Sequence, residues 1–115
     1  MKFYYENCMG DKGYFTENNL VKAIYTAWNI EADLYLLSKD FNKKKQKYPQ
    51  QDSKNCKLVF CSVEGNEFNN DLLKDYGYKM EDGEELRDII EISSGNVVKY
   101  DWSEVKQLVW NYSFI

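Results

Sequence analysis

Cys8, Cys56 and Cys61 are the strongest nucleophiles by type in this chain of 115 residues, and there is no histidine to activate them. A thiol attacks as thiolate and needs a base or a stabilising positive charge beside it. Cys56 and Cys61 instead sit five apart in an apolar run, where strand alternation points them to opposite faces as small core residues. Cys8, beside a turn, is the one thiol expected to be exposed. Glu84, Glu85 and Asp88, with Glu81 and Asp82 just ahead, have the type for paired-carboxylate chemistry. They crowd a predicted helix start, however, where the helix dipole alone favours acids, and no apolar pocket is implied that would shift a pKa.

Metal and phosphate motifs are missing as well. No Cys-x-x-Cys pair occurs, and neither Asn69-Asn70-Asp71 nor Glu81-Asp82-Gly83-Glu84-Glu85 has the spacing of a calcium loop. Gly10 and Gly13 lack the Lys-Ser/Thr that completes a phosphate loop. The sequence therefore predicts no catalytic residues, no metal and no cofactor, and a protein that is not an enzyme.

Charge carries more information. The net charge of −4 divides unevenly along the chain. Residues 39–57 hold seven lysines against Asp40 and Asp52, a net of +5. Residues 64–91 hold ten acids against Lys74, Lys79 and Arg87, a net of −7. Lys43, Lys44, Lys45, Lys47 and Tyr48, with Phe41 nearby, have the composition of a segment that contacts phosphates and stacks on bases. The acidic set Asp71, Asp75, Glu81, Asp82, Glu84, Glu85, Asp88 and Glu91 could form a negative face that mimics phosphates toward a basic cleft. Aromatic residues make up 17% of the chain, more than a core of this size obviously needs, which favours binding surfaces.

Elements must position these residues. Residues 2–8 read as an aromatic-rich strand and 9–13 as a glycine turn, with Tyr14 and Phe15 returning antiparallel. Thr16 is the expected N-cap of a helix over 17–29, whose face is Leu20, Val21, Ile24, Ala27 and Trp28. A strand over 32–37 follows, then an exposed basic loop over 39–55 whose flanking strands could pair as a hairpin. Cys56 to Val63 reads as a strand buried on both faces. Helices are predicted over about 67–76, ended by Gly77, and over about 84–92, built on Leu86, Ile89 and Ile90 after a capping-box start at Asp82. A short strand over 97–100 and a last helix from Asp101, with Trp102, Val105, Leu108, Val109 and Tyr112 on one face, complete the chain.

The expected fold is α+β: one domain over 1–115, a small and mainly antiparallel sheet with three to four helices packed on it, and loop 39–55 as an exposed insertion. No apolar stretch approaches the roughly 18–20 residues of a membrane-spanning helix, and residues 1–30 do not read as a signal peptide. With an odd number of cysteines, the expected setting is the reducing cytoplasm, with no membrane partner. Abundant Lys, Asn, Tyr and Ile with scarce Arg, Ala and Pro fit A/T-rich codons, as in low-GC bacteria, their phages and mobile elements.

The leading expectation is a non-enzymatic interaction protein whose acidic face binds a basic, nucleic-acid-handling partner, in concrete form an anti-CRISPR or anti-restriction inhibitor of a host defence nuclease. The alternative is a nucleic-acid-binding or regulatory module that uses the lysine-rich loop.

Overall fold

The computed structural model describes residues 1–61, 67–82 and 87–99. Five strands form an antiparallel sheet in the order β2-β1-β3-β4-β5: β1 (Lys2–Glu6), β2 (Lys12–Thr16), β3 (Asp33–Leu37), β4 (Cys56–Cys61) and β5 (Glu67–Phe68). Helix α1 (Leu20–Trp28) joins β2 to β3, and α2 (Asn70–Asp75) follows β5. A separate hairpin pairs β6 (Tyr78–Asp82) with β7 (Arg87–Glu91).

Alternation along the strands decides which residues face α1. Phe3, Tyr5, Leu34 and Leu36 point inward and pack with Leu20, Val21, Ala23, Ile24 and Ala27 of the helix. This core also takes in Leu73 of α2 and Ile89 of β7, with Met80, Tyr78 and Val98 packed against it. Hairpin and sheet therefore share one apolar interior. Trp28 fills the space at the end of α1, edge-on to both Phe60 and Phe68 at 5.7 and 5.6 Å.

The helix begins later than Thr16. That residue ends β2, and Asn19 caps α1 through a side-chain oxygen that accepts from the Val21 and Lys22 amides at 2.8 and 3.2 Å. After Trp28 the chain closes in a Schellman-type stop. The Glu31 amide donates to Trp28 and the Ala32 amide to Ala27, with Glu31 in the left-handed region at φ 52°.

Three further expectations about the helices are corrected. The number of helices is too high: the described residues contain two α-helices, one of them short, beside a predominant sheet. Most of the predicted helix over 84–92 is strand β7. Leu86, Ile89 and Ile90 at i, i+3 and i+4 suit a helix turn as readily as a short strand. Pairing decides the matter, because Met80 lies opposite Ile89 and both Ile89 and Ile90 are buried. The helix over 67–76 shrinks to Asn70–Asp75, since Phe68 pairs with Phe60 as strand and Asn69 supplies the cap. Gly77 does stop it in the left-handed conformation, at φ +87°.

Of the strand expected over 97–100, Val97 makes an isolated bridge to Ile90, Val98 and Lys99 carry no strand, and Tyr100 lies outside the described residues. The predicted last helix and its cap at Asp101 lie outside the described residues, as do Gly83, Glu84 and Glu85.

In β4 the register shifts opposite Leu34 and Tyr35. Val59 is the extra residue of this bulge, so Val59 and Phe60 both enter the α1-side core at 0% exposure. The bulge also reverses the facing of the residues beyond it. Cys56 and Cys61, expected on opposite faces, fall on the same outer face, and Leu58 is 38% exposed rather than buried.

Candidate functional site

The face of the sheet turned away from α1 carries a row of tyrosines. Tyr4 lies directly opposite Tyr14 on one side and Tyr35 on the other. Their ring centroids are 5.2 and 5.9 Å apart, distances at which tilted aromatic pairs attract. Phe41, from the segment after β3, continues the row with its ring 6.1 Å from Tyr14. Leu37 and Cys56 complete this second apolar cluster.

Among the described residues no α-helix covers the row; the basic loop does. Its ends are tied together where Ser38 donates to Asn55 from both its amide and its hydroxyl, at 2.9 and 2.8 Å. Asp52 turns the chain into β4 by accepting from Asn55 and from the Cys56 amide. Pro49 is buried at the start of a 3-10 turn, Pro49–Gln51, and Gln50 donates to the Glu6 carboxylate at 2.9 Å. The same Glu6 oxygen accepts from the Tyr4 hydroxyl at 2.9 Å, so one carboxylate fastens both loop and tyrosine row to β1. Near the start of the loop, the Asn42 side chain accepts from the Lys44 amide and its carbonyl from the Lys45 amide, a local turn that fixes the lysine run.

Between this turn and the sheet lies a groove of about 680 Å³, lined by Lys2, Lys39, Lys43 and Lys44 around Tyr14 and Phe41. Among the described residues, Asp40 is the one acid in its lining. The Lys43 ammonium stands 5.7 Å from the centre of the Tyr14 ring. Burial pushes the Tyr14 phenol up from its ordinary value, with the nearby Cys56 adding to the effect. Tyr4 is raised by burial and then by the Glu6 carboxylate, and Tyr35 is pushed up to about 12 by burial and then by Asp33. Burial, followed by Asp52, takes the Cys56 thiol to about 11. Near neutral pH these groups are uncharged and add no negative charge beside the lysines.

The lysine residues expected to act together are divided. Lys43 and Lys44 line the groove, whereas Lys45, Lys47 and Tyr48 do not. Lys47 stands over the ring of the half-exposed Tyr48, 5.5 Å from its centre. Sequence reasoning missed Lys2 and Tyr14. Their membership depends on the β1–β2 register, which puts Lys2, Tyr4, Tyr14 and Thr16 on one face.

The described members of the acidic set come from three elements, α2, β6 and β7. Asp71 and Asp75 are exposed on α2, and Glu81 is exposed on β6, paired with Lys79 at 2.9 Å. Asp88 lies opposite Glu81, but Glu91, three residues on along β7, points to the other face. Glu91 accepts from the Ser93 hydroxyl at 3.3 Å. Asp82 ends β6, and Glu84 and Glu85 fall outside the described residues. The continuous helical acidic face is thereby overturned for 87–91. All three cysteines are free, and among the described residues no group of three or more Cys, Asp or Glu side chains is placed to hold a metal. Nor is any described helix long and apolar enough to cross a membrane.

No protein-family model, curated protein or solved structure matches the chain. Its functional reading rests on the chemistry of the groove, which offers cations at the rim and aromatic rings at the floor.

Proposed function

We propose that the protein is a non-enzymatic nucleic-acid-binding module that acts in the cytoplasm through the lysine-lined groove. The observation that carries this reading is the convergence of Lys2, Lys39, Lys43 and Lys44 on Tyr14 and Phe41. Phosphates are held by such cations with release of counterions, and aromatic rings add contacts to bases. The chain's net charge of −4 opposes long-range approach, so binding depends on the local field of the loop. Fluorescence anisotropy with labelled oligonucleotides at low and rising salt tests the proposal. Binding should weaken steeply with salt and disappear when Lys39, Lys43 and Lys44 become Ala. Absence of binding at low salt removes the reading.

A second reading, the inhibitor of a host defence nuclease, keeps one favourable observation. Glu81 and Asp88 are direct cross-strand partners, an arrangement that costs stability unless a cation offsets it. Lys79 supplies only part of that offset at the surface. On this reading, Glu81→Lys with Asp88→Lys abolishes capture of a basic partner while the fold is kept, and undiminished capture rejects it.

A further inference from the structure

We infer that the groove takes single-stranded rather than duplex nucleic acid, with unpaired bases stacked on Tyr14 and Phe41 and phosphates held by the surrounding lysines; this rests on the nucleic-acid reading above. Three observations favour it. The useful surface of the groove is aromatic, and ring faces can recognise only bases that are unstacked and open, which a duplex does not offer. Its shape is a concavity of about 680 Å³, the size class of small-ligand pockets and room for roughly one or two nucleotides rather than a convex double helix. Among the described residues, no α-helix lines the groove to enter a major groove: the lining comes from β1, β2, the end of β3 and the loop after it.

Lys43 gives the site a free-state arrangement that a base can replace. Its ammonium stands over Tyr14, both groups retaining access to solvent. Stacking of a base on the ring is worth more than one exposed cation–π contact, so the base displaces the lysine. The displaced ammonium then lies beside the phosphate that the base brings with it. Among the described side chains, the cations that line the groove are all lysines. Among the described side chains the lining thus offers no forked guanidinium of the kind that reads guanine, and binding should tolerate any sequence.

The test uses the intact protein with a labelled oligothymidylate, a duplex of matching length, inorganic polyphosphate and an acidic peptide as separate probes. The oligothymidylate should bind at least tenfold more tightly than the duplex. The slope of log K against log salt should be roughly −1.5 to −2, as expected when the lysines neutralise the two or three phosphates that flank one or two nucleotides of a single strand. Tyr14→Ala should weaken single-strand binding about tenfold, comparable to losing one stacked base, whereas Tyr14→Phe should retain it. Phe41→Ala provides the same measurement from the loop, should Tyr14→Ala fail to fold. Equal binding of single strand and duplex, lost with the lysines but unchanged in Tyr14→Ala and Phe41→Ala, overturns the single-strand inference and leaves the nucleic-acid reading standing. Polyphosphate bound as tightly as the oligonucleotide, binding of the acidic peptide alone, or binding of no probe overturns both.

Discussion

Beneath α1, the inner face of the five-stranded sheet holds Phe3, Tyr5, Leu34 and Phe60 at no more than 1% exposure, while the outer face keeps Tyr14 and Tyr35 partly open beside a loop rich in lysine. Both faces are aromatic, and their strands are the same. They differ in what covers them. A helix packed by Ile24 and Ala27 shuts out water over its whole contact, and its removal would expose a core. A loop held at its ends and by Glu6 leaves space over part of its floor, and its lysine side chains can move without disturbing the backbone that carries them. The inner face is thus closed to solvent, and the outer face is left partly open.

The contrast can be broken most strongly at Phe60. Phe60→Ala should cost about 3–5 kcal/mol, because a fully buried ring in contact with Phe68 and Trp28 leaves a cavity. Urea unfolding should place Tyr14→Ala about 1 kcal/mol from the wild type, in keeping with its partial exposure. Equal losses at the two positions would erase the distinction between the faces.

Alkaline pH should act next, through Cys56 and Tyr35 on the outer face. Cys56 and Tyr35 have folded-state values raised from 9.0 and 10.0 to about 11 and about 12, so folding favours their neutral forms. Their stabilising contribution is complete below about pH 9. It is lost as pH rises through about 9–11 for the thiol and about 10–12 for the phenol. Thermal melts across this range should decline, and Cys56→Ala should remove the earlier part of the decline.

A smaller effect is expected at the fastening of the loop. Glu6→Ala deletes the shared acceptor of Tyr4 and Gln50 and should cost about 1–2 kcal/mol. Hydrogen exchange should quicken at the amides of Gln51 and Asp52, which bond within the turn that Glu6 holds down. The gentlest change is Lys43→Ala with Lys44→Ala, both exposed, for which unfolding should shift by less than about 0.5 kcal/mol. The same pair should lower oligonucleotide affinity and flatten its salt dependence. That sharpens the comparison into one between a face needed for folding and a face needed for binding.

Local signals made the order of elements over the first 37 residues legible, though the helix cap is Asn19 rather than Thr16. Phe3-Tyr4-Tyr5, the glycine turn and the spacing of Leu20, Val21, Ile24 and Ala27 each specify their element from within it. Beyond Val63 the same reasoning lost its footing. Ile89 and Ile90 acquire their strand from Met80 and Lys79 across the hairpin, a pairing that no window of adjacent residues contains. The acids there misled for a related reason, since they suit a helix start and an exposed strand surface equally. At the groove, Lys43, Lys44 and Phe41 were visible as a basic, aromatic run. Lys2 and Tyr14 were not, because only the antiparallel register of β1 and β2 makes them neighbours of the loop. The Val59 bulge was likewise invisible, being the answer of β4 to its partner strand rather than a property of its own residues.

The position of β2 at the rim of the sheet has a consequence for the protein in crowded solution. A peripheral strand is the natural template for pairing with another chain, the first step toward aggregation. Lys12 lies within β2 and Lys43 above it, so an incoming strand would have to strip water from two ammonium groups before it gained a backbone hydrogen bond. Lys43, which lines the groove, and Lys12, which does not, thus both act as gatekeepers of solubility. Replacing them carries a colloidal cost that appears only as protein concentration rises.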